Sequence, residues 1–316
     1  MAAILTLIAP FFLIIGCGFL AAWLRLVGAE ALKPINAYLL YFALPGMFIS
    51  RLADLDLAGV FDIRLLWAFM GGNFAIWLIS TLYCRFVLRQ NLSEVAAINT
   101  AAGWGNSGYM GIPLSIALLG SAGLLHAFAL LAADILVLSA LAFLLHGLAT
   151  NRGGVLTVLG EVGKSLVLNP FLLPFAVGAA ISWYSLEPPQ VFMTFATMLG
   201  DSAFAVALFV IGAGMALRPL KLNAQSAAEV LPATALKLVV HPLLSGLIAL
   251  WLGLGPVAIA GIVVLTATPT ATNAYILAQR FDAKEAQVAA IIFLTTALSF
   301  VSLSAILFMN RGAFGL

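Results

Sequence analysis

The sequence predicts an all-α polytopic membrane protein of ten transmembrane helices, arranged as a 5+5 inverted repeat with two broken, crossed helices, the fourth and the ninth. The first observation behind this prediction is composition: 64% of the 316 residues are hydrophobic and 8% are charged. Soluble domains carry about half apolar and about a quarter charged residues. The second is that apolar segments long enough to cross a bilayer recur along the whole chain. Lys/Arg clusters are absent from the sequence, so we expect a lipid bilayer and no nucleic acid as a partner.

A spanning helix needs about 20 mostly apolar residues, and this rule locates the ten segments. They cover residues 3–24, 32–52, 64–87, 94–119, 123–148, 165–184, 190–217, 227–252, 256–280 and 284–309. The longest polar connection, 149–164, is predicted to be a short linker between a first repeat, 1–148, and a second, 165–316. Because each repeat has an odd number of helices, the two repeats are expected to have opposite orientations in the membrane.

The orientation is predicted from the basic residues of the short loops. Ten Lys and Arg residues lie in the odd-numbered connections, and three lie in the even-numbered connections and the C-terminal end. Basic residues are enriched on the cytoplasmic side. We therefore expect the linker in the cytoplasm, both termini outside, and a location in the inner (cytoplasmic) membrane. The N-terminal segment lacks a basic leader, so we interpret it as the first transmembrane helix.

Two predicted helices are interrupted by residues that disfavour a regular helix. The fourth contains G-W-G-N-S-G-Y-M-G-I-P, ending at Pro113, and the ninth contains T-A-T-P-T-A-T-N, with Pro269. Proline lacks a backbone N–H, so the fourth helix should unwind just before Pro113, whereas Pro269 suits the first position of a new helical half. An offset of about 162 residues between the repeats places Asn106 opposite Thr268. Irregular backbone at membrane depth persists where it lines a cavity, so the paired breaks predict a transport site.

The chemistry of the breaks favours an anionic substrate. Each break should expose N–H groups at the start of the following half-helix, and these carry partial positive charge. Carbonyls and hydroxyls at the other end would suit Na⁺ or a proton-linked cycle. The alternative is that Gly and Pro simply kink packed helices. The candidate substrate-binding residues are Asn106, Ser107, Gly108, Pro113, Pro269, Thr270, Thr272 and Asn273.

Four further polar residues within the membrane are candidates for coupling or charge partners. Lys237 and His241 are four apart on the eighth helix and hence share a face. Lys237 suits a substrate carboxylate or an acidic partner, and His241 a coupling proton or a backbone carbonyl. Asp134, midway along the fifth helix, is interpreted either as a proton or cation ligand or as the buried partner of Lys237. Asn73 lines the core or bonds a neighbouring helix.

Catalysis, resident cofactors and metal sites are not expected. The three histidines are isolated in the sequence, and neither a metalloprotease motif nor a nucleotide-binding Walker motif is present. We therefore predict no catalytic residues, no metal and no cofactor, with H⁺ or Na⁺ as the coupling ion where there is one. A non-transporting sensor with the same fold stays open as an alternative.

Several motifs occur in an order that is similar to one transporter family. N-S-G-Y-M-G-I-P-L at 106–114 resembles the fourth helix of the auxin efflux carrier family, which includes plant PIN carriers and bacterial malate and malonate permeases. P-T-A-T-N-A-Y-I-L-A-Q-R-F at 269–281 resembles its ninth helix. Further matches are I-N-A-Y-L-L-Y-F-A-L-P at 35–45, A-L-F-V-I-G-A-G-M-A-L-R-P at 207–219, L-K-L-V-V-H-P at 236–242 and T-T-A-L-S at 295–299.

This resemblance covers essentially the whole chain and implies a fold and an activity. The fold is that of the bile-acid/arsenite/auxin-carrier superfamily, with a scaffold of helices 1, 2, 6 and 7 and a mobile core of helices 3–5 and 8–10. The implied activity is elevator-type transport of organic anions by a homodimer. The short linker at 149–164 departs from the long-looped plant carriers and favours small mono- or dicarboxylates such as malate or malonate. An auxin-like aromatic carboxylate carrier and a Na⁺-coupled bile-acid-type symporter are the alternatives.

Overall fold

The computed structural model describes residues 2–53, 62–150, 156, 159–160, 163–164, 172–218 and 223–314. Helices make up the regular secondary structure of these residues, and the one β-type pairing among them is a single antiparallel bridge between Gly105 and Thr270. The predicted linker, 149–164, lies mostly outside the described residues, and so does the start of the predicted sixth helix.

The described residues 156, 159–160 and 163–164 are helical, and thirteen further helices are delimited in the described parts of the chain. They are α1 (Ala2–Trp23), α2 (Ala29–Ala53), α3 (Ile63–Val87), α4 (Leu92–Gly103), α5 (Ser107–Gly120), α6 (His126–Thr150), α7 (Leu172–Trp183), α8 (Gln190–Leu217), α9 (Ala224–Trp251), α10 (Pro256–Thr266), α11 (Thr272–Arg280), α12 (Glu285–Met309) and α13 (Arg311–Phe314). Seven of them, α1, α2, α3, α6, α8, α9 and α12, are long and apolar enough to cross a membrane. The prediction of an all-helical, multi-pass membrane protein is therefore confirmed.

Both segments predicted to be broken are divided into two shorter helices. The segment 94–119 forms α4 and α5, and the segment 256–280 forms α10 and α11. A further break separates α5 from α6 at Gly120, whose φ of 62° lies in the left-handed region that glycine adopts without steric cost. Glycine at this position therefore lets the chain change direction between two apolar helices.

The chain divides into two compact units. The first unit comprises Met1–Ile8, Asp62–Gly163 and Leu220–Leu316, and the second comprises Ala9–Phe61 and Lys164–Pro219. The first unit therefore contains α3–α6 and α9–α13, whereas the second contains α2, α7, α8 and most of α1. Each unit takes residues from both of the predicted repeats.

Close helix packing in the second unit depends on small residues. A Cβ atom at Gly46 of α2 would lie 2.6 Å from the carbonyl oxygen of Ala196 in α8, and one at Gly178 of α7 would lie 2.7 Å from that of Phe48. Helix interfaces in membranes are enriched in small residues because these let the backbones approach. The glycines of α2, α7 and α8 therefore act as packing positions.

A three-residue ion cluster joins three helices of the first unit. Lys284, the residue before α12, donates from Nζ to Glu229 Oε1 of α9 at 2.8 Å and lies 3.3 Å from Glu94 Oε1 of α4. Glu94 also closes a capping box with Asn91 at the start of α4. Partial burial acts to lower the pKa of Lys284, but the hydrogen bond and charge of Glu229 and the charge of Glu94 outweigh it, so this pKa lies above its ordinary value.

We expect Lys284→Met to lower the free energy of unfolding by about 1–3 kcal/mol, because it leaves the Glu229 carboxylate, 5% exposed, without its partner. Since the pKa of Lys284 is raised by folding, the stabilisation is complete below the ordinary lysine value of about 10.4 and is lost as the pH rises through the folded-state value. Thermal unfolding of both proteins at neutral pH and at about pH 11.5 measures the difference.

Lys33→Met is the matched control for this prediction. Lys33 pairs with Glu30, and both side chains are mostly exposed, so its removal should change stability by less than about 1 kcal/mol. An equal loss in the two variants, or a Lys284→Met deficit that persists at alkaline pH, would contradict the assigned role.

Candidate functional site

The two helix breaks pair with each other through their backbones. Asn106 N donates to Pro269 O at 2.7 Å, and Ala271 N donates to Trp104 O at 3.0 Å. These two bonds flank the antiparallel bridge between Gly105 and Thr270. Backbone groups that a break removes from a helix need other partners inside a membrane protein. Here each break supplies the partners of the other, within the first compact unit.

The antiparallel pairing determines which helix ends meet. The start of α5 adjoins the end of α10, which we call the first junction, and the start of α11 adjoins the end of α4, which we call the second junction. At each junction a helix N-terminus, with partial positive charge, faces a helix C-terminus, with partial negative charge. The residues that surround the two junctions differ, and this difference decides what each can bind.

Three details of the breaks differ from the sequence prediction. Asn106 and Ala271 have equivalent roles in the pairing, because each donates its N–H to a carbonyl of the other break. The counterpart of Asn106 is therefore Ala271, three positions beyond the predicted counterpart Thr268. Pro269 does not begin a helix: it lies in the extended segment, where its carbonyl accepts from Asn106, and α11 begins at Thr272. Because proline has no N–H and a fixed φ, it fits an extended position whose donor is not needed.

Pro113 also has a different setting from the one predicted. The chain is unwound at 104–106, well before Pro113, and continues as a π-helical turn, Ser107–Gly111, into an α-helix from Ile112. Pro113 thus stands in the first turn of that helix, where the missing N–H costs little. The unwinding occurs where the second break offers hydrogen bonds, not where the proline lies.

The second junction is neutral and partly open. Thr270 Oγ1 donates to Ala101 O at the end of α4 at 2.7 Å, and Thr270 N donates to Thr295 Oγ1 of α12 at 3.1 Å. Thr272 and Asn273, the first residues of α11, are half-buried, and neither side chain bonds another described residue. The first N–H groups of a helix have no partner inside it. The start of α11 therefore offers unpaired donors on an uncharged surface.

The first junction is closed and contains charged residues. Asn106 Oδ1 accepts from Tyr109 N at 3.3 Å, and Asn106 is 5% exposed. Ser107 and Gly108 are buried behind it. Asn73 Nδ2 of α3 donates to Asp134 Oδ1 of α6 at 3.2 Å, both residues being fully buried. Ser107 Oγ lies near the same carboxylate without a well-formed hydrogen bond. Asp134 thus brings a carboxylate close to the N-terminal end of α5.

Lys237 of α9 lies at the other side of the first junction. Its Nζ donates to Thr266 O, the last carbonyl of α10, at 2.6 Å, and lies 3.2 Å from His241 Nδ1. Lys237 and Asp134 interact electrostatically, but they do not form the direct ion pair considered from the sequence. An ammonium only donates, so His241 Nδ1 is the acceptor in this contact. His241 therefore bonds Lys237 and not the carbonyl that the sequence suggested.

A family model described as "Membrane transport protein" matches residues 3–307 of the chain. The chain belongs to this family, the auxin efflux carriers. It is also similar to a "Putative malonate transporter" of Rhizobium meliloti, at 29% identity over 98% of this chain and 97% of the relative. An "Uncharacterized transporter" of Methanothermobacter thermautotrophicus is 26% identical over 90% of this chain and 91% of its own length. The protein is thus a membrane transporter by family.

Three of the candidate regions of this transporter contain π-helical turns that the sequence did not predict. They are Ser107–Gly111, Asp134–Leu138 and Leu236–Val240, each of which carries a candidate residue. Single π-turns within helices occur frequently at functional sites. The extra residue in each turn rotates the side chains that follow it. These segments are mostly apolar on all sides, so their hydrophobic periodicity does not indicate the extra residue.

Thr295 of α12 also escaped the sequence prediction as a site residue. It is fully buried and accepts from Thr270 N while donating to Ile291 O at 2.7 Å. The sequence feature that indicates this position is the pair of adjacent threonines in an otherwise apolar helix. Among the described residues, no group of three or more His, Cys, Asp or Glu side chains is placed to hold a metal ion.

Proposed function

We propose that this chain is a secondary transporter of small organic anions, such as malonate or malate, and that the anion binds at the second junction. The observation that carries the proposal is the half-buried start of α11, where Thr272 and Asn273 lack described side-chain partners beside a paired break. Helix N-termini bind carboxylates through their free N–H groups, and broken helices supply such ends in transporters.

The charges at the two junctions favour the second one as the anion site. A bound carboxylate at the first junction would lie near the fully buried Asp134, and like charges in a region of low dielectric repel strongly. The cation of that junction, Lys237, already donates to Thr266 O and contacts His241 Nδ1. At the second junction the carboxylate would meet the N–H groups of α11 and the neutral side chains of Thr272 and Asn273. Asn106, Pro269 and Thr270 then hold the breaks in position through their hydrogen bonds, and Ser107, Gly108 and Pro113 belong to the first turns of α5.

The transmembrane arrangement that fits this function is the ten-helix inverted repeat. Support comes from the seven long apolar helices, from the two divided segments α4–α5 and α10–α11, and from α7, a shorter apolar helix. We further propose an inner-membrane location with both termini outside and a homodimeric assembly.

Elevator-type movement is the mechanism that suits the division of the chain. Both junctions, with all twelve candidate residues, belong to the first compact unit, so this unit could carry the anion while the second unit serves as the scaffold. Alternating access in transporters is largely the movement of one such bundle against another.

The substrate class rests on the site and on one relative. Among the residues that the structure describes, the second junction has neutral donors and no fixed basic side chain, which suits a small carboxylate with exposed oxygens. The name of the Rhizobium meliloti relative points to malonate. A bulky aromatic carboxylate or a bile acid would need a larger apolar surface beside the donors.

Flux into proteoliposomes tests the function. Purified protein is reconstituted, and uptake of radiolabelled malonate is measured under an imposed membrane potential, with liposomes that lack the protein as the control. We expect saturable uptake that unlabelled malate inhibits and indole acetate or taurocholate does not. Binding of malonate without flux would favour the non-transporting sensor, and inhibition by the aromatic or bile acid alone would favour those carriers.

A further inference from the structure

The two junctions use different groups to satisfy equivalent carbonyls. At the second junction Thr270 Oγ1 donates to Ala101 O, near the end of α4. The antiparallel pairing makes Gly105 the counterpart of Thr270 and Thr266 the counterpart of Ala101. Gly105 has no side chain, and Lys237 Nζ donates to Thr266 O instead. A charged group from α9 thus replaces a hydroxyl at one junction only.

The ammonium of Lys237 occupies the space that a side chain at position 105 would need. A Cβ atom on Gly105 would lie 3.2 Å from Lys237 Nζ and 2.8 Å from Thr268 Oγ1. Thr268 Oγ1 in turn donates to Leu265 O, another carbonyl at the end of α10. Lys237 Nζ therefore bonds the last carbonyl of α10, and it lies on the same side of Gly105 as the Thr268 hydroxyl of the unwound segment.

We propose that the Lys237 ammonium is a built-in cation at the end of α10, in the place where a Na⁺ ion would bind, so that transport requires no Na⁺. Half-helix C-terminal ends and unwound carbonyls are the groups that coordinate Na⁺ in transporters with broken helices. A fixed ammonium meets the same partial negative charge and, because it is never released, excludes a second cation. This inference rests on the proposed function only for its statement about transport; the position of the ammonium does not depend on that function.

The fully buried Asp134 balances this built-in cation. It is the charged group that acts electrostatically on Lys237, and Asn73 fixes its carboxylate through a 3.2 Å hydrogen bond. A buried lysine without a nearby anion would be costly to keep charged. With Asp134 near the start of α5 and Lys237 at the end of α10, each charge also has the sign that its helix end favours.

Thermal unfolding of the purified protein, without substrate, tests the cation assignment independently of transport. Wild-type protein and Lys237→Met are compared in NaCl, choline chloride and methylammonium chloride of equal ionic strength. We expect the same Tm for the wild type in all three salts. In Lys237→Met, a vacated cation site should bind Na⁺ or methylammonium, which raises Tm by several degrees over choline. Lys33→Met, which removes an exposed lysine, should respond to the salts as the wild type does.

Flux of malonate in the same salts is the second arm. Wild-type uptake should be equal in Na⁺ and choline media, whereas Lys237→Met should transport at least about tenfold more slowly in choline and recover partly with methylammonium or Na⁺. A salt-independent Tm with no flux of any carboxylate would refute the transport proposal and leave the cation assignment standing.

Na⁺-dependent flux or a Na⁺-dependent Tm in the wild type would overturn the inference, and this holds even where Lys237→Met does not fold. Lys237→Gln, which keeps a donor but no charge, serves as a second variant. Its Tm and flux should follow the same salt dependence as those of Lys237→Met. A variant that folds, transports like the wild type and ignores the salts would also overturn it.

Discussion

Gly105→Ala is expected to destabilise the protein by about 1–3 kcal/mol, as an added methyl group does in a well-packed core, and to reduce malonate flux at least about tenfold. The new Cβ would lie 2.8 Å from Thr268 Oγ1 and 3.2 Å from Lys237 Nζ. Both neighbours are fully buried and hydrogen-bonded to carbonyls of α10. Relief of the overlap must therefore break one of these bonds or separate Gly105 from Thr270.

Gly255→Ala is the matched control for this substitution. Gly255 precedes α10 and has an ordinary φ of −70°, and a Cβ atom added there would have no neighbouring atom within 4 Å. Its replacement should change the thermal unfolding temperature and the flux little. Chemical or thermal unfolding together with proteoliposome uptake measures both quantities. A Gly105→Ala protein with wild-type stability and flux would show that the junction is looser than these distances indicate.

The existence and position of the two breaks could be predicted from the sequence because the residue types that cause them are local. Gly103, Gly105 and Asn106 lower the cost of leaving the helix, and the Thr-Pro-Thr segment does the same in the other half. The membrane class and the multi-pass helical fold also followed from local composition. These features need no knowledge of which helices are neighbours.

The roles of individual residues could not be predicted in this way, because they depend on pairing between distant segments. Pro113 is the stronger helix breaker, yet the chain unwinds at 104–106, where residues 269–271 supply hydrogen-bond partners. Lys237 Nζ donates to Thr266 O because α9 packs beside the end of α10. The sequence places Lys237 and Asp134 in the membrane, but it does not determine whether the two side chains contact each other or lie at the ends of different helices.

The distinction between the two asparagines illustrates the same limit. From the sequence, Asn106 and Asn273 are equivalent candidates, one in each break. In the fold, Asn106 is buried and accepts from Tyr109 N, whereas Asn273 is half-buried at the start of α11. Asn106→Ala should therefore lower stability as the loss of a helix cap does, by about 0.5–2 kcal/mol. Asn273→Ala should leave stability nearly unchanged.

Asn273→Asp is expected to change stability and anion binding in opposite directions. A carboxylate in the first turn of α11 interacts favourably with the helix dipole, by about 0.3–1 kcal/mol, so Tm should rise or stay constant. The same carboxylate would repel a bound malonate and occupy its N–H donors, so the affinity should fall at least about tenfold. Neutral Asn273→Ala should weaken binding less, because it removes a donor without adding charge.

Malonate-induced stabilisation in thermal unfolding measures both effects in one experiment, since the Tm without ligand reports the dipole and its shift with ligand reports affinity. Gln279→Ala, at an exposed position near the other end of α11, is the matched control and should bind as the wild type does. If Asn273→Asp bound malonate as the wild type does, the anion would not lie at the start of α11. An anion at the first junction would then have to be accommodated beside the buried carboxylate of Asp134.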